Sequence, residues 1–596
     1  MCGIVGYLGK SNGVEIVLEG LARLEYRGYD SSGISYKDGS LNVLKKEGKL
    51  SNLENILSEK KIKSNAIIGH TRWATHGEVN DINAHPHGNQ YFSVVHNGII
   101  ENAYELKEKL QIEGELFQSA TDSEVFLVLL TKKYHELKNV KDAILETFKE
   151  IRGNSAFVIL PENEDKIYCI KKSAPLVCGH NKKENKLFVS SDPYALIGFA
   201  EEVYFPGEEI LGILDLKENT LNFYSKDGKK SEDYKVNKSK ENFKVETKEG
   251  FDHFMLKEIF EQPKLINQIS KEYLEIEKTD LSKIDFDTIN IIACGTAWHA
   301  GLCLRNIYEK HLNVKVNVEL ASEFRYRDPY LNSKDIAIFI SQSGETADTI
   351  ACTELCKQKG IKLFSILNVE GSTLNRLCDY NFLIHAGQEI GVASTKAFTM
   401  QFLTGHFLLN LFKGLDPIKS YEQELELLKN KIQKILENHN RIKELAHEIC
   451  NYKGYIFTGR NKYFPIALEG ALKLKEIAYV HAEGYAAGEL KHGPIALIDE
   501  EMVSICLVGP ELYEKTLSNI EEIKARKGKI LIVGDINDKK SKALADWYIP
   551  LELEGFEYFT PVYMNVVMQL LSYFIAKEKG TDIDKPRNLA KSVTVE

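Results

Sequence analysis

Short apolar runs punctuate the first 240 positions: Ile4–Leu8, Ala66–Ile68, Phe92–His96, Phe157–Leu160 and Leu187–Ser190. Between them apolar residues recur at helical spacing over 14–25, 101–113 and 123–137. This mixture predicts an α+β layered domain. The pattern stops at 225–250, where SKDGKKSEDYKVNKSKENFKVETKEG is polar, charged and nearly free of apolar periodicity, and reads as a solvated linker. Beyond it, apolar strands alternate with long amphipathic helices: Thr288–Ala293, 298–311, Ala337–Ser341, 346–359 and Lys362–Leu367. That is the βαβ rhythm of a parallel sheet. Helical sequence fills 396–450, and then the rhythm restarts with Gly454–Thr458, 465–479, Val503–Val508, 511–527 and Ile530–Gly534.

The restart reads as an internal repeat. NIIACGTAWHAGLCLRNI and GYIFTGRNKYFPIALEGALKL share a strand, a small or polar turn with Gly, and a helix. The segments beginning IAIFISQSGETADT and VSICLVGPELYEKT share the next strand–turn–helix–strand. Two similar α/β domains in tandem are therefore expected after the N-terminal one.

Composition narrows the function. Of 596 residues, 43% are hydrophobic and 27% charged, near the globular average, which argues against disordered, collagen-like and coiled-coil chains. The net charge is −10 and no long basic stretch offsets it, so neither nucleic acid nor an anionic membrane is the expected partner. The ten cysteines are scattered with no C-x-x-C pair, as in a reduced cytoplasmic protein. MCGIVGYLGK lacks a basic n-region and a long apolar run, so no signal peptide is expected. The most apolar stretches, 397–412 and 558–576, carry polar or Pro interruptions and read as buried core helices.

The chemistry begins at Cys2. Removal of the initiator Met leaves its α-amine free, a plausible base with an ordinary pKa of about 7.7–8.0 attached to its own thiol nucleophile. CGIVGY, GHTRWATHG (69–77), HNGII (96–100) and TDSE (121–124) follow in order. Over roughly residues 2–235 these motifs resemble the class II glutamine amidotransferases, the N-terminal-nucleophile hydrolases with αββα layers. The resemblance implies Cys2 as nucleophile, with Asn97 and Gly98 as the oxyanion hole. It implies Arg72 on the glutamine α-carboxylate, where a planar fork suits a planar acceptor. Asp122 would take the α-ammonium, Thr75 and His76 would complete the loop, and Trp73 would gate an ammonia channel. Asn97-Gly98 also suits a type I′ hairpin turn. His70, His85, His87 and His96 lack ligand spacing, so no metal is expected.

No G-x-G-x-x-G or Walker A pattern occurs. Instead Ser341-Gln342-Ser343-Gly344-Glu345-Thr346 follows a strand and opens a helix, where backbone N–H groups and hydroxyls form an anion site. Cys294-Gly295-Thr296 and Ala393-Ser394-Thr395-Lys396 are two further small, hydroxyl-rich turns. In a parallel sheet such turns gather at the strand C-termini, where ligands bind, although helix capping explains each singly.

This half resembles tandem sugar isomerase (SIS) domains. Through CGT, SQSGETADT, GVASTKAF, EGALKLKE, AAGELKHGP and PRNLAKSVTVE, nearly the whole chain is similar to the isomerising glutamine–fructose-6-phosphate aminotransferase family. That resemblance implies conversion of L-glutamine and D-fructose 6-phosphate to L-glutamate and D-glucosamine 6-phosphate, opening amino-sugar synthesis. Ammonia would travel inside the protein. His492 would open the ring, Lys591 would form an imine with the keto sugar, and Glu476 would relay the proton between carbons. Lys473 shares a helix face with Glu476, which is also the spacing of a plain surface ion pair. Ser341, Gln342, Ser343 and Thr346 would hold the phosphate, and Thr296, Ser394 and Glu469 would contact or orient the sugar. Ala297 stands where the family usually has Ser, which puts one hydroxyl contact in doubt.

The implied organisation is a glutaminase domain over 2–224, the linker 225–250, SIS domains over 251–430 and 431–586, and an active-site tail over 587–596. No cofactor is needed for imine and acid/base chemistry. A homodimer is implied, with the His492 loop reaching into the neighbour. The competing readings are another class II amidotransferase with a different acceptor, and a non-catalytic SIS sugar-phosphate sensor.

Overall fold

A computed structural model describes residues 2–60, 62–238, 247–275 and 281–593. Contacts divide the chain into two units: Met1–Val245 with Ser592–Glu596, and Glu246–Lys591.

The first unit contains an eight-stranded and a six-stranded sheet, both antiparallel. Side-chain alternation along single strands builds its layers. In Gly3–Gly9, Ile4 and Leu8 enter the core between the sheets, while Val5 and Tyr7 pack outward with Val17 and Leu21 of the helix Val14–Leu24. In Ser155–Pro161, Ala156, Val158 and Leu160 join the same inter-sheet core. Phe157 and Ile159 face the helices Asp122–Leu137 and Val140–Glu150. The order is helix, sheet, sheet, helix. Both faces of the central strands are covered, so they read as continuous apolar runs.

Tyr234–Lys238 pairs with Glu202–Pro206 at the edge of the larger sheet. Part of the stretch read as linker is thus a strand. Its side chains are largely exposed, so its composition resembles that of a solvated segment. Residues 239–246 of that stretch lie outside the described residues.

The second unit contains two five-stranded parallel sheets, and the repeat is visible in their topology. Numbered within each sheet, both run 2-1-3-4-5. The order reverses between the first and third strands, Thr288–Ala293 and Asp335–Ser341 in the first sheet. This reversal opens a crevice at the strand C-termini. The helix Lys396–Phe412 is buried along its whole length, as is Thr560–Ala576 of the helix Thr560–Glu578. These are the two stretches expected as core helices. No helix among the described residues is long and apolar enough to cross a membrane.

Candidate active sites

In the first unit, Gly3 pairs with Thr71 of the strand Ala66–Arg72, so Cys2 and Arg72 emerge at the same sheet end. The backbone N–H of Trp73 lies 3.2 Å from Cys2 Sγ. Asn97, from the strand Phe92–Gly98 of the other sheet, donates from Nδ2 to the Cys2 carbonyl at 3.0 Å. Burial raises the Cys2 thiol pKa, against the pull of the Trp73 N–H and Arg72. The thiol therefore needs a base to become a nucleophile.

Arg72 is buried and donates to the carbonyls of His76, Gly77 and Glu78, which curls the exposed Thr75–His76 loop around it. The buried Asp122 accepts the Ile100 N–H at 2.8 Å and its charge is felt by Arg72. A cation and an anion beside a thiol suit the head group of an amino acid.

Two groups to which the sequence assigned no role support this site. His70 Nε2 lies 3.1 Å from Asn97 Oδ1 and 3.0 Å from the His96 carbonyl. As a donor it orients the Asn97 amide so that Nδ2 faces Cys2. Asp30 accepts the Ala74 N–H at 2.8 Å and anchors the loop after Trp73. The Arg27–Asp30 stretch, charged residues around a Gly between helix and strand, was the available signal.

His70, His85, His87 and His96 are all buried, with the His70–His85 rings 4.3 Å apart and His85–His87 4.7 Å apart. Among the described residues no three His, Cys, Asp or Glu side chains are placed to hold a metal ion. Burial lowers His70 to about 3 and His96 to about 4, with His85 and His87 also well below the usual imidazole value. These rings stay neutral when folded and take up protons on unfolding below about pH 6.5. The first unit should therefore lose stability steadily as pH falls from about 6.5 toward 4. Urea midpoints measured across that range test this; midpoints that stay flat would show that the cluster is not buried neutral.

In the second unit, the helices Gly295–Leu312, Ala347–Gln358 and Lys396–Phe412 follow the three hydroxyl-rich turns. None is capped by the side chain of its own N-cap residue, so capping does not account for the hydroxyls, and at the third helix Glu389 accepts the Ala397 N–H instead. Ser341 Oγ lies 3.3 Å from Thr346 Oγ1 and accepts the Gly344 N–H, while Ser343 Oγ accepts the Glu345 N–H. Gln342 lies half-buried in the same turn. Gly344 has φ +67°, the left-handed turn that brings these hydroxyls together. Cys294 Sγ, 3.9 Å from Thr349 Oγ1, joins this turn to the preceding one. Uncapped N–H groups and hydroxyls at a helix start favour an oxyanion.

Beside them is a buried polar cluster. Lys473 Nζ lies 2.6 Å from Glu476, 3.6 Å from Glu469 and 3.1 Å from Thr296 Oγ1. Burial opposes the charge on Lys473, but Glu476 and Glu469 outweigh it and its pKa is raised. This is no surface ion pair, since the Lys473 side chain is 1% exposed. Glu469 also accepts from Thr296 at 3.1 Å and pairs with His299 Nδ1 at 2.7 Å. His299 was missed, because one histidine on a buried helix face carries no sequence signal. Lys591 and Ser394 both bond Glu389, whose charge reaches Lys473. Ala297 sits in the first turn of the helix Gly295–Leu312 and contributes no hydroxyl. His492 stands exposed at the end of the short helix Ala487–His492 and makes no hydrogen bond to these residues.

Comparison with known proteins follows the same division. A glutamine amidotransferase domain model matches residues 73–198, and a SIS domain model matches 284–411 and 449–573. The chain is 44% identical to the glutamine–fructose-6-phosphate aminotransferase [isomerizing] of Aquifex aeolicus over 607 aligned residues, covering 100% of both chains. It is 43% identical to the protein of that name from Bacteroides thetaiotaomicron over 627, again with full coverage. The C-terminal domain of glucosamine-fructose-6-phosphate aminotransferase from Francisella tularensis superposes with a TM-score of 0.53 at 39% identity, covering 57% of this chain and 100% of that one.

Proposed function

Because the chain belongs to the glutamine–fructose-6-phosphate aminotransferase (isomerizing) family, we propose roles for its residues in that reaction. The enzyme converts D-fructose 6-phosphate and L-glutamine to D-glucosamine 6-phosphate and L-glutamate. The observation that carries the assignment is the pairing of a Cys2 site beside Arg72 and Asp122 with an uncapped hydroxyl cluster beside a buried Lys473–Glu476 pair.

The layered first unit supports an N-terminal-nucleophile hydrolase fold. Cys2, deprotonated by its own α-amine, attacks the glutamine amide while Arg72 and Asp122 hold the head group, with Thr75 and His76 closing the loop. Asn97 Nδ2 and the Gly98 N–H stabilise the oxyanion, a contribution of about 3 kcal/mol per donor. Gly98 has φ +126°, and a Cβ there would lie 2.0 Å from the Asn154 carbonyl. Gly98→Ala should therefore cut glutamine hydrolysis by about 10²-fold or more with the melting point of the second unit unchanged, checked by glutamate release and calorimetry.

In the second unit, Ser341, Gln342, Ser343 and Thr346 take the phosphate, and Thr296, Ser394 and Glu469 orient the sugar. Lys591 forms an imine at C2, and Glu476, set by Lys473, moves the proton between C1 and C2. The exposure of His492 favours a homodimer in which a second copy supplies the ring-opening histidine. The glutaminase domain extends beyond 224 to take in the strand Tyr234–Lys238, the other domain boundaries follow the reading above, and a cytoplasmic location fits its metabolite substrates. Trp73, beside Cys2, supports a gate for ammonia that is delivered to the sugar without mixing with solvent.

The test is a product assay with glutamine, fructose 6-phosphate and ¹⁵N-ammonium held below the concentration at which Cys2→Ala makes amino sugar. Unlabelled glucosamine 6-phosphate is expected. Labelled product would sink the channelling reading, and glutamate without amino sugar would sink the acceptor assignment.

A further inference from the structure

Lys591 is seated by Glu389 and Glu258, neither of which lies in a motif named above. Its side chain is 3% exposed, and Nζ donates to Glu389 Oε2 and to the Gly391 carbonyl, the latter at 2.8 Å. Glu389 is itself held by Ser394 Oγ at 2.9 Å and by the backbone N–H groups of Thr395 and Ala397 at 2.9 and 3.1 Å. The Ile390–Gly391 backbone is held from behind by Glu258, on the helix Phe254–Glu275. Its Oε1 accepts the N–H groups of Ile390 and Gly391, the latter at 3.1 Å, while Oε2 is buried without a partner. Gly391 leaves room for that oxygen, since a Cβ there would lie 2.8 Å from Glu258 Oε2. Lys396, the next cation, is engaged by Glu261 at 2.7 Å.

We propose that Glu389 is the counter-ion of Lys591 both as the resting ammonium and as the iminium with C2 of the sugar, and that Glu258 is a positioning residue that builds this seat through its backbone hydrogen bonds. The proposal rests on the imine reading of Lys591 given above. The step balances without another acid or base: R–NH₃⁺ and the C2 carbonyl give R–NH⁺=C2 and water. The C–N bond forms, the C–O bond breaks, and two ammonium hydrogens leave with the oxygen. Nitrogen carries one positive charge before and after. A buried cation needs a matched anion throughout, and Glu389 supplies it unchanged. Its four donors and the Lys591 charge hold its carboxyl down at about 2, so it stays ionised. Glu258 faces Glu389, Lys591 and Lys396, and burial beside the Glu389 charge raises it to about 8, which suits a residue that acts by hydrogen bonding rather than by charge.

The experiment traps the imine in the full chain with fructose 6-phosphate and borohydride, and locates and quantifies the adduct by mass spectrometry. Fructose 6-phosphate binding and melting point are measured on every variant. Wild type should carry the sugar on Lys591, and a buried pair resists screening, so the trapped fraction at saturating sugar should change less than about twofold up to 1 M salt. Glu389→Gln should lose at least about tenfold of the trapped fraction, and Glu389→Asp should recover part of it. Glu258→Gln keeps an acceptor and should trap like wild type, whereas Glu258→Ala should lose about tenfold with the sugar still bound. If wild type carries no sugar on Lys591, the imine reading falls and this assignment falls with it. If wild type is trapped and folded Glu389→Gln is trapped equally, only the counter-ion is overturned. If Glu258→Gln fails as Glu258→Ala does, Glu258 acts by charge and the positioning role is overturned. Should the Glu389 variants not fold, loss of the wild-type adduct in high salt overturns the ion pair.

Discussion

Cys2→Ala should abolish product formation from glutamine, by a factor of about 10⁴ or more, and leave synthesis from added ammonium largely intact. The size follows from the geometry. Among the described residues Sγ is the only thiol at the end of the strands Gly3–Gly9 and Ala66–Arg72, and its partner is the backbone of Trp73. On the proposed mechanism, removing it deletes the nucleophile but leaves Arg72, Asp122 and Asn97 in place. The fold should hardly notice, because the change keeps Cβ and removes only a half-buried thiol. Glutamate release, amino-sugar formation from glutamine and amino-sugar formation from ammonium separate the two half-reactions. Persisting glutamine-dependent synthesis would remove Cys2 from the mechanism, while loss of the ammonium reaction too would mean that the second unit depends on this residue.

The second large effect is at Lys473. Lys473→Met removes the ammonium that lies between Glu469 and Glu476, both on the helix Phe464–Ala478. Glu469 is fully buried and would keep its bonds to His299 and Thr296 but lose its ammonium partner, so the second unit should be destabilised by about 3–5 kcal/mol. Synthesis should fall by about 10³-fold or more, from glutamine and from ammonium alike, because Glu476 loses its orienting partner. Glutamine hydrolysis should persist. The double variant Lys473→Met/Glu469→Gln removes one charge of each sign and should regain much of the stability without regaining synthesis. Calorimetry and the two assays distinguish these outcomes. If the double variant is both stable and active, Lys473 has no part in the chemistry.

Much of this was legible in one dimension. The strands at 288–293 and 362–367 and the restart at 454 follow from apolar spacing, because a parallel strand buried on both faces must be apolar throughout. The repeat is visible because each βαβ unit is local in the chain. The Cys2, Arg72, Asn97 and Asp122 motifs and the Ser341–Thr346 turn are short because each sits on one strand end or one turn, where neighbours in sequence are neighbours in space. The edge strand at 234–238 was hidden because its exposed side chains match those of a linker.

Other features came only from folding. Lys473 and Glu476 fit a surface pair by spacing, and the packing that buries them comes from helices remote in sequence. Thr296 and His299 meet Glu469 across 173 and 170 positions, and Lys591 meets Glu389 across 202. Glu258 reaches the Ile390–Gly391 backbone across more than 130. Periodicity reports which face of an element is buried, but not which buried group it meets. Apolar spacing set most of the elements and the repeat, because both are local in the chain, while the chemistry expected of the two sites came from a family resemblance carried by short motifs. Which charges are paired, and which buried carboxylate holds Lys591, was decided by tertiary structure, because a buried ion needs its partner in space and nothing in chain order names that partner.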